Sequence, residues 1–453
     1  MTTTDLILSH CKTAAVQLPQ SMATVQKEAA DFLDANKFAF AKNEVWRNVD
    51  FSDFMNDELL VPQQNAPTPQ TKFTCGIPNL DTTQLTIRNG FYQTDGEPLQ
   101  KLANGVVIGS LRTAIAQCPD LVAKVFGTTT PVNNSFLAAN TAMFTDGVFI
   151  YIPDNVNVAK PLQILGVADH EKSIFLQTRN LVYVGKNSSL TLIHCDDSYN
   201  HNRCFSNTVT EIVIDEYARL DHYKMQNLND NSGLINQTFV RMRQNATLLS
   251  NGISFNGGNI RNHNEIRMDG EHCDVQVHGL YLMDKEQRID NYVFVEHSHP
   301  NCNSYELFKG IMDDNAHGSF NGHVLVCDGA TKTNAQQSNK NILLTDKATI
   351  NSKPFLEIYN DDVKCSHGSS IGQLDEQALF YLMQRGIRPH TARTLLMFAF
   401  CDEVLKSVGI APLQQQLREM VQRRLQGELS SCDNCVMSCP TDNCHFTIDV
   451  SAI

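Results

Sequence analysis

Between about residues 146 and 370, the chain is a succession of short runs that alternate apolar and polar residues or are briefly all apolar. Examples are "SLTLIHC" (189–195), "VQVHGLYLM" (275–283) and "NYVFVEH" (291–297), and Gly, Asn and Asp punctuate the gaps between such runs. This pattern predicts β-strands separated by tight turns. No helical pattern of 10 to 15 residues intervenes, which argues against a Rossmann-like or barrel α/β fold.

A long series of short strands is compatible with a sandwich, a propeller or a β-solenoid. Asn and Gly are frequent at the turn positions, the unit lengths are irregular, and no blade signature is visible. These features favour a solenoid, in which alternate side chains point inward and stack from coil to coil. The pattern therefore predicts a mainly β protein with a solenoid core over residues 146–370.

Helical patterns flank the strand-rich region. Residues 1–145 are predicted to be mainly helical, with an extended linker at "VPQQNAPTPQTKFT" (61–74). Residues 371–427 predict a helical domain, because apolar residues recur at helical spacing in three segments that are bounded by Gly and Pro. Two interpretations of these helices stay open: packing against the end of the solenoid, or an additional face that docks a partner.

The composition is that of an ordinary protein, with 42% hydrophobic and 19% charged residues among 453. The formal net charge of −13 disfavours binding to nucleic acid or to anionic membranes. There is no apolar run of 18 residues and no secretory signal pattern at the N-terminus, so a cytoplasmic location is expected.

Four of the 14 cysteines crowd into the tail, residues 428–453. Cys432, Cys435, Cys439 and Pro440 reproduce the last part of the bacterial ferredoxin run, but Leu429 stands where its first cysteine is expected. Cys444 could supply a fourth thiolate. Four thiolates can hold zinc or an iron–sulfur cluster, and the spacing does not choose between them. The alternative is a disordered tail.

No phosphate-binding loop, nucleophile elbow or zinc-protease motif is present, so the chain is not expected to be an enzyme. Two histidine-containing pairs could nevertheless bind a metal. His297 and His299 share a strand face, as do Cys365 and His367 in "DDVKCSHG" (361–368). For both pairs the spacing is compatible with a metal site and also with side chains that serve only packing.

Taken together, several stretches resemble the SufB/SufD family of the SUF iron–sulfur cluster assembly system, and its SufD branch more closely. The matching segments keep the family order, and they are "NEVWRNVD" (43–50), "DGVFIYIPDNVNVAKPLQI" (146–164), "RNLVYVGKNSSLTLI" (179–193), the segment 279–326 and "PFLEIYNDDVKCSHGSSIGQLDEQALFYLMQRGI" (354–387). The last segment is the most specific. The four-cysteine tail is a departure from the usual pattern, so nothing transfers to it.

The resemblance implies a right-handed parallel β-helix core between helical regions, in a non-catalytic scaffold subunit. It implies pairing with a SufB-like subunit and docking of a SufC-like ATPase, and it allows a homodimer in isolation. His367 would be the cluster ligand at the subunit interface, with Cys365 beside it and a transient iron–sulfur cluster as the cargo. The docking helices would contribute a set of apolar residues, namely Leu379, Leu382, Met383, Leu395, Leu396 and Phe400.

Two other functions are weighed against this scaffold role. The first is a polysaccharide-cleaving β-helix enzyme, which would require paired carboxylates at catalytic separation and usually a secreted chain. The second is a metalloprotein whose cysteine-rich tail holds its own zinc or iron–sulfur site.

Overall fold

The structure is a computed structural model that describes residues 1–10, 16, 18–38, 44–64 and 76–427. Its centre is a β-solenoid, in which successive strands alternate between two ten-stranded sheets. Within each sheet, neighbouring strands are two apart in the chain, except for the short strands at the N-terminal end. The prediction of a mainly β solenoid is confirmed.

The strands of the solenoid core are about ten residues long, and each pairs in parallel with the next strand but one. Their bounds are β5 Val148–Ile152, β6 Leu162–Ala168, β7 Ile174–Val184, β8 Ser189–Ser198, β9 Cys204–Ile214, β10 Arg219–Asn227, β11 Gly233–Met242, β12 Thr247–Asn256, β13 Asn259–Met268, β14 Asp274–Met283, β15 Arg288–His297, β16 Asn303–Met312, β17 His317–Val326, β18 Thr333–Leu343, β19 Thr349–Ile358 and β20 Val363–Gly372.

Alternate residues of each strand point into the solenoid, where in-register side chains of successive coils stack in columns. One such column contains Leu220, Leu248 and Val275, which are buried and lie in register on β10, β12 and β14. The turns between strands use left-handed backbone, for example at Asn187 and Asn245. Asn tolerates this conformation better than other residues with a Cβ, which explains its frequency in the gaps.

The N-terminal region contains helices and, in addition, four short strands that extend both sheets. The helices are α1 Thr3–His10, α2 Gln20–Asn36, α3 Ser52–Met55, α4 Leu111–Gln117, α5 Pro119–Val122 and α6 Ser135–Met143. The strands are β1 Thr83–Arg88, β2 Phe91–Gln93, β3 Leu99–Lys101 and β4 Val107–Ser110. Because β1 pairs with β6 and β4 pairs with β5, the sheets begin before residue 146. Most of the predicted linker, residues 65–74, lies outside the described residues.

Three C-terminal helices follow the last strand: α7 Glu376–Gln384, α8 Pro389–Leu405 and α9 Ala411–Leu425. The prediction that they pack against the solenoid end needs correction. Helices α8 and α9 lie along the outer face of the sheet that contains β10 to β18, where Met397, Val404 and Leu417 bury the apolar residues Tyr223 and Leu280. That outer face is apolar, so covering it removes hydrocarbon from water.

Candidate functional site

The last coil of the solenoid is left open. Strands β19 and β20 are the terminal strands of the two sheets, so each has a paired neighbour on one side only among the described residues. Their outer edges present backbone N–H and C=O groups in the way that allows another chain to add a strand. We call this surface, formed by β19 and β20, the open end.

Both residues of the Cys-x-His pair lie on β20 at the open end. Cys365 is in register with Ala335 of the preceding coil, and His367 is in register with Gln337. Cys365 is half-buried and packs against a small apolar cluster inside the coil, and burial raises the pKa of its thiol. The His367 side chain is exposed. The structure thus offers an accessible imidazole beside a half-buried thiol.

Exposed apolar side chains accompany this pair. Ile358 at the end of β19 and Ile371 on β20 occupy inward positions that no further coil covers, and they are 39% and 48% exposed. Phe355 and Tyr359 add 44% and 60% exposure. Apolar residues grouped at an unpaired sheet edge are typical of a protein–protein interface.

Below the open end, the interior of the solenoid is polar, which the sequence reasoning missed. The Ser369 hydroxyl donates to Ser352 at 2.7 Å, and Ser352 donates to the Asn339 side chain at 2.6 Å. A second line contains Gln337, whose amide nitrogen donates to Glu306 at 2.8 Å. Burial raises the pKa of Glu306 to about 8. One sequence feature indicates these residues: they are polar, yet they stand at those alternate strand positions whose side chains point into the coil.

The residues predicted to dock a SufC-like partner fall into two groups. On α7 no residue is fully buried: Leu379 and Leu382 are half-buried and Met383 is 40% exposed. Its other large side chains, Phe380 and Tyr381, are 63% and 58% exposed. The helix is capped by Asp375, whose carboxylate accepts hydrogen bonds from two backbone N–H groups of the first turn.

The second group lies on α8, where Leu395, Leu396 and Phe400 are half-buried. Leu396 and Phe400 line a groove of about 330 Å³ between α8 and the end of β20, together with Ile371 and Leu374. The groove joins the open end to the C-terminal helices, so the two predicted interaction surfaces are continuous.

The structure does not assemble a metal site at His297 and His299. His297 is buried, its ring nitrogen lies 2.9 Å from the Ser304 hydroxyl, and burial lowers its pKa to about 4. Within the described residues no group of three or more His, Cys, Asp or Glu side chains could hold a metal ion. The tail cysteines Cys432, Cys435, Cys439 and Cys444 lie outside the described residues.

A parallel β-solenoid with an open end, flanked by helices, defines the class of protein. Comparison with protein families then specifies it: residues 167–400 match the SufBD core domain of SUF system iron–sulfur cluster assembly, and residues 3–164 match the SufBD N-terminal region. The chain therefore belongs to the SufBD family, which is involved in iron–sulfur cluster assembly. In the described residues no helix is long and apolar enough to cross a membrane.

Individual relatives agree with this assignment. The chain is 29% identical to an iron–sulfur cluster assembly SufBD family protein of Synechocystis, over 87% of this chain and 89% of the relative. It is 26% identical to SufD of Bacillus subtilis, over 88% and 92%. It is also 31% identical to SufD of Escherichia coli, over 59% of this chain and 64% of that protein.

Proposed function

We propose that this chain is a non-catalytic scaffold subunit of a SUF assembly complex. In this role it pairs with a SufB-like subunit through the open end and docks a SufC-like ATPase on its C-terminal helices. The iron–sulfur cluster is cargo, built where His367 meets the partner subunit. The observation that carries the proposal is the placement of an exposed histidine on the last, unpaired strand of the solenoid.

The open end supports pairing with a second β-solenoid. Two edge strands lie at the same end, and the uncovered inward residues Ile358 and Ile371 would be buried by one more coil. A partner with a similar open end would supply that coil and satisfy the exposed backbone groups.

The pair Cys365 and His367 supports the ligand role of the histidine rather than of the cysteine. Burial raises the pKa of the Cys365 thiol, so a metal would have to displace a more firmly held proton there. The exposed imidazole is accessible to a cluster on the partner side.

The C-terminal helices support docking of the ATPase partner. Phe380, Tyr381 and Met383 leave an aromatic and thioether surface uncovered on α7, and such residues are enriched in the buried centres of protein interfaces. The ATP chemistry would then belong to the partner, in agreement with the expectation that this chain contains no phosphate-binding loop.

Co-expression with SufB-like and SufC-like subunits tests the proposal. We expect a ternary complex that purifies with iron and sulfide, and loss of both in His367→Ala while the three chains still co-purify. Ser366→Ala, a change on the outward face of the same strand, is the matched control. If neither partner is retained, the scaffold role is wrong; if His367→Ala assembles clusters normally, only the ligand role is wrong.

A further inference from the structure

Three side chains on successive coils form one inward column that leads to the open end. Glu306 on β16 is in register with Gln337 on β18, which is in register with His367 on β20. Neighbouring strands of a sheet are about 4.8 Å apart, so side chains on the same face of adjacent coils are within contact range.

The inward direction of His367 follows from its neighbours of the same parity. Cys365 packs against the interior residue Ala335, and the Ser369 hydroxyl hydrogen-bonds Ser352 of the opposite sheet. Because residues i and i+2 of a strand share a face, His367 stands over Gln337.

The carboxamide of Gln337 is held by a residue of the preceding coil. Its nitrogen donates to a carboxyl oxygen of Glu306 at 2.8 Å. Gly322 on the facing strand leaves room for this nitrogen, since a Cβ at that position would collide with it. Because the nitrogen donates to Glu306, the carboxamide oxygen remains available to accept a hydrogen bond from another group.

That oxygen is buried and has no hydrogen-bond partner among the described residues. Leaving a buried acceptor without a hydrogen-bond partner destabilises the folded chain. The next residue along the column toward solvent is His367, whose imidazole carries ring N–H groups that can donate.

We propose that Gln337 is a positioning residue for His367. The structure does not show this bond, since the carboxamide oxygen has no partner there. Turning the imidazole over Gln337 lets one ring N–H donate to that oxygen, and Glu306 holds the carboxamide in this orientation. The other ring nitrogen is thereby left unprotonated and turned toward the outside of the coil. Histidines that ligate metals usually donate their second N–H to such an acceptor, which fixes tautomer and ring orientation.

This inference rests on the proposed function only for the role of the positioned imidazole, which is to present a ring nitrogen to cluster iron. The hydrogen bond itself is a property of the isolated chain and can be measured without a partner or a cluster.

Nuclear magnetic resonance of the full chain with ¹⁵N-labelled histidine tests the inference. The signals of His367 among the 15 histidines are those lost in His367→Asn. At a pH where the ring is neutral, we expect a single tautomer in the native chain and a mixture of both in Gln337→Leu. The matched control is Gln336→Leu, an exposed position on the outward face of the same strand.

Gln337→Leu leaves the buried Glu306 without its hydrogen-bond partner, which destabilises the fold. A second variant therefore controls for misfolding. Glu306→Leu combined with Gln337→Leu removes both polar groups, which is nearly neutral for stability when the shapes are similar. It should give the same tautomer mixture. If the single tautomer persists in both variants, the inference is wrong.

The co-expressed complex separates this inference from the proposed function. Loss of an outer hydrogen-bond partner of a ligand typically weakens metal affinity by about 10- to 100-fold, so Gln337→Leu should retain less iron than Gln336→Leu. A tautomer mixture with normal iron content supports the positioning by Gln337 and contradicts the ligand role of His367.

Discussion

The ammonium group of Lys309 lies 2.8 Å from the main-chain carbonyl oxygen of Phe400 and 4.4 Å from the centre of the Phe400 ring. Lys309 points outward from β16, it is almost fully buried, and it also forms an ion pair with Glu403. One strand residue thus contacts both the backbone and a side chain of α8. This contact holds the helix, and with it the groove at Leu396, in a fixed position on the solenoid.

Replacing Lys309 by Met should therefore destabilise the protein. A hydrogen bond from a charged donor contributes about 1.5 to 3 kcal/mol, and we expect a loss of about 2 kcal/mol in the free energy of unfolding by urea. The control is Lys340→Met, because Lys340 is 46% exposed and approaches the same Glu403 only to 3.9 Å. That change should cost less than about 0.5 kcal/mol. Equal urea midpoints for the two variants would show that Lys309 does not anchor α8.

Glu306 should make the protein less stable as the pH rises above about 4.5. Burial raises its pKa from 4.5 to about 8. Between these values the unfolded chain releases the proton while the folded chain keeps it, so this group's contribution to stability declines as the pH rises from 4.5 to 8.

Glu306→Gln keeps an acceptor for Gln337 and removes this titration. Each pKa unit corresponds to about 1.4 kcal/mol, so the variant should gain about 3 to 4 kcal/mol relative to the native chain between pH 5 and pH 8. Urea unfolding at the two pH values measures this gain. The control is Glu171→Gln, at an exposed loop position. A stability profile for Glu306→Gln that runs parallel to that of the native chain over this pH range would refute the assignment.

Charges at the open end should abolish pairing without unfolding the chain. Ile358→Asp combined with Ile371→Asp places two carboxylates where a partner coil would bury them, and burial of an unpaired charge costs several kcal/mol. We expect at least tenfold weaker binding of a SufB-like subunit, measured by titration calorimetry. The control is Tyr217→Asp, at a residue that is 60% exposed on a remote turn. If both variants bind alike, the open end is not the interface.

The cysteine-rich tail makes a separate prediction. If Cys432, Cys435, Cys439 and Cys444 hold a metal, the full chain purified without oxygen should contain zinc or iron, and a chain ending at Gly427 should not. Elemental analysis of both forms decides the matter. Equal metal content in the two forms, or no metal in either, would exclude a tail site.

The candidate site was only partly predictable from sequence. The pair Cys365 and His367 stands out by its two-residue spacing and by the surrounding family pattern. For Glu306 and Gln337 the sequence holds only one signal, a polar side chain at a position whose parity places it inside the coil, and nothing in it links the two residues. They become a unit only when the register of three coils places them in one column.

The same division applies to the fold. Alternation of apolar and polar residues, together with Asn and Gly in the gaps, determined the strands and the solenoid because strand periodicity and turn conformations are local properties. Helical spacing determined the three C-terminal helices for the same reason. The position of α8 along the flank, the strands before residue 146 and the polar interior beneath His367 were decided by tertiary structure. Each depends on which surfaces meet across long stretches of chain, and no local pattern records such a contact.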